Sequence, residues 1–363
     1  MPPINIAINC FRKGGGMESY TFDLVQGLNA ENTRPTIYAA QIDITSVEYT
    51  MADVVHINQK RIPKKLRPFF FTHQLTKQNI QGKLIACNPS DHAEIFVCGG
   101  THLGYLKHMG QRASLLDKLT VRRNQTNYAT AKSIMAHSAM MAHKLTEYYN
   151  VPSEKIRVVY PPADTQRYFP QPERATELRH QFGFSDDETV FVFPSTGHKR
   201  KRLDVLATFF EQTDLPVRLA VAGSPLPHPM KNVTELGFCK NMSDLYCAAD
   251  FTIMASLYEP FGLVGIESVL CGTPVVFADN IACTEVMNKQ AGLLFQRNNP
   301  ISLSAAVTQA HERKRQGNHK ITDPRSALNY DPTLSTHIQA LKKNAGLGVN
   351  KYTSSHLYNI SMI

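Results

Sequence analysis

Short apolar, β-branched runs alternate along the chain with stretches whose apolar residues recur three and four apart. Residues 4–10 are followed by 17–28 in this way, 134–137 by 140–149, and 190–194 by 203–210. A brief continuous apolar run marks a strand buried on both faces, and a helical period after it marks a crossover. The rhythm therefore predicts an α/β fold built on parallel sheets. Further on it predicts strands over 217–222, 233–236, 251–255 and 274–278, with helices over 243–249 and 263–270. Gly272 stands where a helix C-terminal glycine belongs, just ahead of Pro274.

Two series of this kind need two cores, and 363 residues are enough for two domains of roughly 150 residues each. Between the series lies Val158-Val159-Tyr160-Pro161-Pro162-Ala163-Asp164, where paired prolines end a strand and forbid a helix. The boundary is expected near Pro162, giving domains over 1–162 and 163–325. A last helix, within 326–345, is expected to return to the N-terminal domain, and 346–363 is polar and reads as a loosely held tail.

Composition narrows the class. Apolar residues at 42% and charged ones at 19% describe a water-soluble globular balance, and no run reaches the ~18 apolar residues of a membrane span. The opening Met1-Pro2-Pro3-Ile4 lacks a basic leader and a cleavage site, so a cytoplasmic protein is expected. Seven scattered cysteines form no Cys-x-x-Cys pair, which argues against a disulfide framework or a zinc site. The net charge of +9 favours an anionic partner: nucleic acid, an acidic membrane surface or a phosphate-bearing substrate.

The chemistry-bearing signal is Tyr258-Glu259-Pro260-Phe261-Gly262-Leu263-Val264-Gly265-Ile266-Glu267, between a predicted strand and helix. Backbone N–H groups at that helix start have no intrahelical acceptor and, with the helix dipole, suit a phosphate or an anionic leaving group. Gly262 lets a ligand come close to the backbone. Two carboxylates straddle the start, each able to accept hydrogen bonds from sugar or ribose hydroxyls. Read alone, the pair could equally be a loop charge and a solvent-facing helical glutamate.

The stretch from Glu259 to Glu267, followed by Gly272-Thr273-Pro274-Val275-Val276, resembles the signature of family 4 retaining glycosyltransferases. Residues 134–138 and 156–170 resemble that family's passage into its donor domain. The resemblance implies the GT-B fold: two Rossmann-like domains whose parallel sheets face an interdomain cleft. It implies that Glu259 contacts the transferred sugar and Glu267 the donor ribose, with Phe261, Gly262, Leu263 and Val264 supplying backbone contacts to sugar and phosphate.

In that family an arginine and a lysine neutralise the donor diphosphate, and the matching run, 196–204, points to Arg200 and Lys201. The run departs from the family at the next position, where Arg202 replaces the usual glycine. A departing diphosphate gains charge in the transition state, so a cationic pair is wanted there. No Asp-x-Asp occurs in the chain, and no metal or other cofactor is expected.

Near the N-terminus, strand 4–10 leads through Gly14-Gly15-Gly16 to a helix. Alone this is a weak nucleotide-loop signal, or a tight turn, since it lacks Gly-x-Gly-x-x-Gly. The resemblance places Gly15 and Gly16 at the cleft. His102, ending the strand-like run 95–102, resembles a cleft histidine of several members and implies contact with the donor sugar or help with the acceptor proton. Where members resembling lipopolysaccharide-core enzymes carry an aspartate hereabouts, this chain has Gly100 or a shifted neighbour.

Basic stretches with interleaved apolar residues, 60–71 and 103–123, lie in the half that takes the acceptor in this family. They predict an anionic glycolipid acceptor and a peripheral position at the cytoplasmic face of the inner membrane, and the chain's resemblance to the short lipopolysaccharide-core type of hexosyltransferase implies a UDP-sugar donor. For Phe69 to Phe71 a buried strand is the competing reading. Three rivals stay open: a Rossmann oxidoreductase, a sugar-nucleotide epimerase of the same fold, and a basic nucleic-acid-binding protein. The last has no helix-turn-helix, zinc or RNA-binding signature beside its charge, and no nucleic-acid partner is expected.

Overall fold

The computed structural model describes residues 2–347. Seven strands form the first sheet: β1 Ile4–Phe11, β2 Thr36–Ile42, β3 Asp53–His56, β4 Lys83–Ala86, β5 Ile95–Cys98, β6 Ser133–Ala136 and β7 Ile156–Val158, in the order β3-β2-β1-β4-β5-β6-β7. Six form the second: β8 Thr189–Ser195, β9 Val217–Gly223, β10 Val233–Gly237, β11 Phe251–Met254, β12 Val275–Ala278 and β13 Gly292–Phe295, in the order β10-β9-β8-β11-β12-β13. Neighbouring strands run parallel, as at β1 with β2 and β8 with β9. Parallel neighbours require crossovers, and helices supply them in both series. The α/β expectation holds.

Strands covered by helices on both faces should be apolar throughout, and β8 and β11 are buried at every position. Phe191, Phe193, Phe251 and Phe277 are fully buried in the second core, with Phe191 stacked on Phe251 at 5.3 Å. Gly272 follows the helix Leu263–Leu270 at φ 78°, the left-handed stop expected of it.

The chain divides into two compact units. Among the described residues, one holds those up to Val97, Asn127–Ile134 and those from Ser335; the other holds Cys98–Thr126 and Met135–Leu334. In the first, the helix Leu334–Asn344 packs on the helix Gly16–Ala30: Tyr20 Oη meets His337 Nε2 at 2.8 Å, and Lys342 pairs with Glu31. The second unit starts well before Pro162. Segments 98–126 and 135–162 are held in it by contacts such as Ser138 Oγ donating to Pro260 O at 2.7 Å. Of the expected tail, everything past residue 347 lies outside the described residues.

Two local readings are corrected. Phe69 to Phe71 belong to a helix, Arg67–Thr76, not to a strand: Pro68 sits in the first turn, where its fixed φ favours helix and its missing N–H costs nothing. Phe71 is buried while Phe69 and Phe70 are partly exposed. The run expected as strand to His102 ends at Cys98, because Thr101 caps a helix, His102–His108, its hydroxyl accepting from Gly104 N at 3.2 Å.

Candidate functional site

In the second sheet the chain winds outward from β8 in one direction through β9 and β10, then returns and continues from β11 to β13 on the other side. The connections leaving β8 and β11 thus diverge, opening a crevice at the carboxyl ends of these strands where ligands of doubly wound sheets bind. The short helix His198–Lys201, which follows β8, carries Arg200 and Lys201, and the loop after β11 carries Glu259. Residues about sixty apart in sequence meet there.

Arg200 Nη1 donates to Glu259 Oε2 at 2.7 Å and to the Tyr258 carbonyl at 2.8 Å. Ser256 Oγ adds a longer bond of 3.4 Å to the same carboxylate oxygen. The Arg200 carbonyl accepts from Leu257 N, so the two connections are joined through backbone as well. Arg200 keeps about a third of its side chain in solvent and Glu259 much less. In this arrangement the arginine orients the glutamate.

Lys201 is buried and its Nζ donates to the Pro194 carbonyl at 2.7 Å. Burial pushes its pKa down, while Glu259 and Glu267 hold it up, so its charge belongs to a small buried network. Glu267 lies one helical stretch further on, its carboxylate accepting from Tyr246 Oη at 3.2 Å. Crowding by protein raises the Glu267 pKa against the pull of Tyr246, Arg167 and Lys201. Tyr246 and Tyr168 are raised in turn, by burial and by the nearby Glu267 charge. Sequence reasoning missed these tyrosines and Arg167, which no spacing rule ties to Glu267.

The helix Leu263–Leu270 begins at Gly262, which takes φ 98°. A Cβ at Gly262 would stand 3.1 Å from Glu259 Cγ and 3.2 Å from Ile281 Cγ2. Both backbone and space demand glycine there. Phe261 is buried, with its carbonyl accepting from Cys283 N at 2.7 Å, which fixes the entry to the helix. Leu263 and Val264 are partly exposed at the helix start, where N–H groups lack intrahelical acceptors.

Arg202, at the position where the resemblance implies glycine, links the helices His198–Lys201 and Leu203–Gln212 at φ 61° and ψ 49°. The left-handed turn that explains a glycine is therefore kept, with an arginine in it, and such a conformation costs about 1–2 kcal/mol for an L-residue. Its Nε reaches Asp204 at 3.0 Å.

His102 opens its helix with Nε2 2.8 Å from Asp117 Oδ1. Hydrogen bonds from Ser114 and then His102 hold the Asp117 carboxyl down to about 2, so it stays ionised and orients the ring. Gly100 packs on Pro260: a Cβ there would approach Pro260 Cγ to 3.3 Å. The acidic partner of this region is Asp117, fifteen residues past His102 on the helix Leu115–Thr130.

Gly15 and Gly16 lie in the first unit. Gly15 caps the helix Gly16–Ala30, and a Cβ on it would meet only the flexible Glu18 Oε2, at 2.9 Å. Around Gly16 nothing lies within 4 Å of where a Cβ would be.

With this geometry in view, comparisons with known proteins add the lineage. Residues 14–167 match the family described as Glycosyltransferase Family 4, and residues 188–313 that described as Glycosyl transferases group 1. A probable transglycosylase of Burkholderia thailandensis is 37% identical over 345 residues, which is 93% of this chain and 95% of the relative. A D-inositol 3-phosphate glycosyltransferase of Thermobispora bispora is 29% identical over 205 residues, spanning 49% of this chain and 47% of that one. Among solved structures, that of WaaG, a glycosyltransferase involved in lipopolysaccharide biosynthesis, superposes with TM-score 0.77 at 14% identity, over 94% of this chain and all of the other. Anabaena HepE in complex with UDP and glucose follows at 0.74 and 15%, over 95% of this chain and all of the other. At such identities the structures speak for the GT-B fold alone.

Proposed function

Because the chain belongs to the family 4, group 1 glycosyltransferases, we propose that it moves a hexose from a UDP-sugar to a hydroxyl of an anionic glycolipid or polysaccharide, with retention of configuration, in lipopolysaccharide or lipooligosaccharide core assembly. The observation that carries this reading is the meeting of Arg200, Lys201, Glu259 and Glu267 around the helix start at Gly262. WaaG's involvement in lipopolysaccharide biosynthesis and the complex of HepE with UDP-glucose favour the acceptor and donor classes named.

Each side chain then has a task. Glu259 accepts hydrogen bonds from the sugar and steadies positive charge as the bond to C1 loosens. Glu267 accepts from the ribose hydroxyls. The N–H groups of Gly262, Leu263 and Val264 and the cations Arg200 and Lys201 offset the charge that builds on the departing diphosphate, so no metal is required. On the same face, the leaving phosphate oxygen takes the acceptor proton as the hydroxyl attacks, which retains configuration. His102, held by Asp117, contacts the donor sugar, and the open space at Gly16 admits donor phosphate or acceptor.

Peripheral binding to the cytoplasmic membrane face fits the helix Leu115–Thr130. Leu115 is 79% and Leu119 53% exposed on it, beside Lys118 and Arg122. Among the described residues no helix is long and apolar enough to cross a membrane. Flotation with anionic vesicles over a salt series tests this, and no binding at low salt removes it.

The direct test is melting with UDP, GDP, ADP and their sugars in EDTA. A ligand at a hundred times its dissociation constant adds ~2.7 kcal/mol of stability. Selective stabilisation by UDP-sugars, kept in Glu259→Gln while turnover falls about 100-fold, supports the assignment. No shift with any nucleotide sugar defeats it.

A further inference from the structure

Tyr258, next to Glu259, is tied down at both ends. Its carbonyl takes a hydrogen bond from Arg200 Nη1 at 2.8 Å, the same nitrogen that holds the Glu259 carboxylate. Its side chain turns the other way and is buried. There the phenol oxygen accepts from the N–H of Thr101, the cap of the helix that begins with His102, at 3.0 Å. Two glycines make room for it: a Cβ at Gly104 would stand 3.1 Å from the phenol oxygen, and one at Gly100 would stand 3.8 Å away.

The ring is held as firmly as its oxygen. The His108 imidazole stacks on it at 5.3 Å and 17°, and Lys144 Nζ lies 4.8 Å from the ring centroid. Lys144 and His108 are bonded to each other, Nζ to Nε2 at 2.6 Å; a charged lysine can only donate, so the ring nitrogen accepts while Lys144 is protonated. Tyr105 meets the ring edge at 6.4 Å. A cation over an aromatic face and an aromatic stack are each attractive, and both are stronger away from water.

We propose that Tyr258 is a positioning residue, whose phenol and ring fix the His102 helix relative to the Glu259–Arg200 pair so that both groups address one substrate. The proposal rests on the transferase reading for its kinetic consequence, but not for its structural one. Truncating the phenol leaves the Thr101 N–H without its partner and frees the helix start to shift, and a misplacement of that kind slows the chemical step more than it weakens donor binding.

The Lys144–His108 couple gives this lock a pH signature. Burial pushes Lys144 down to about 8, with Glu147 raising it and Arg297 lowering it. Burial also lowers His108, helped by Lys144, Arg297 and Lys107 and opposed by Glu147. Burial lifts Tyr258 itself to about 12, with Thr101 lowering it and Cys98 and Tyr149 raising it, so the phenol keeps its proton throughout. Protonating His108 in acid sets two cations against each other under the ring, and deprotonating Lys144 in alkali removes the cation. The lock is intact between those limits.

The test compares Tyr258→Phe with the unaltered protein by amide hydrogen exchange and by kinetics on whichever nucleotide sugar is turned over. Faster exchange is expected at both 101–104 and 257–260, with kcat down about 10-fold and the donor dissociation constant unchanged. Lys144→Met, which removes the cation over the Tyr258 ring and leaves the phenol in place, should give a weaker form of that pattern and stands in if Tyr258→Phe fails to fold. His108→Asn should move the acid limb of kcat. Unchanged exchange at 101–104 with unchanged kcat overturns the proposal, and so does a loss confined to donor affinity. A protein that turns over no nucleotide sugar instead fails the transferase reading, and the exchange result still decides this one.

Discussion

At residues 11–16 and again at 255–263 a buried strand runs through a glycine-bearing loop into a helix, yet the two junctions differ in what surrounds the glycine. Gly262 is bent to φ 98°, and a Cβ on it would press on Glu259 and Ile281. Gly16 has an ordinary φ and open space where a side chain would go. Around the second junction stand charges that are partly or wholly buried: Arg200, Lys201, Glu259 and Glu267. Around the first, the Glu18 side chain that shields Gly14 and Gly15 belongs to the helix that follows. One glycine is required by its backbone angle and its neighbours, at the place where four charges gather. The other is required by neither.

The sharpest way to break this contrast is Gly262→Ala. A left-handed alanine costs about 1–2 kcal/mol, and pressing its Cβ on Glu259 and Ile281 adds about 1–3. Thermal melting should drop by several degrees and transfer should fall below detection. A variant that melts with the unaltered protein and still works would show that the junction tolerates what its geometry forbids.

A smaller effect tests the buried charge. Because the folded-state pKa of Glu267 is raised, the carboxylate contributes no penalty while protonated in acid, and folding loses stability as pH rises through that pKa. Glu267→Gln should therefore melt higher than the unaltered protein at pH 8 and equally at pH 4, while its stabilisation by a nucleotide sugar weakens. Equal melting at both values would mean that Tyr246, Arg167 and Lys201 fully compensate the burial.

The smallest stability change is expected at Gly16→Ala. Nothing opposes the new methyl group, and alanine is the better helix residue by about 1 kcal/mol, so melting should stay level or rise slightly. A fall in transfer at unchanged stability would mark the space as a ligand's. Unchanged transfer would reduce Gly15 and Gly16 to a tight turn.

The legible parts were those in which a local rule acts. Paired runs such as 190–194 and 203–210 read as strand and helix because burial on both faces and helical period are properties of contiguous residues. Gly272 read as a helix stop because only glycine takes φ 78° cheaply. Four-residue strands such as Asp53–His56 and Lys83–Ala86 escaped, being too short to show a period and carrying charged or polar ends. For Phe69 to Phe71 the competing strand reading fails because Pro68 sits in the first turn of a helix, a place that three consecutive aromatics do not reveal.

The site divides in the same way. That Glu259, Gly262 and Glu267 share one strand-to-helix junction was written in consecutive residues. That Arg200 grips Glu259, that Tyr246 closes on Glu267, that Asp117 orients His102 and that Arg202 bears a left-handed turn were not. By itself the sequence determined the class of fold, the position of the junction and, through its resemblance to a family, the reaction to look for. Only the tertiary structure decided which charges are paired and which way each pKa moves. Those properties depend on distances between segments that the strand order brings together and on how much water is left between them.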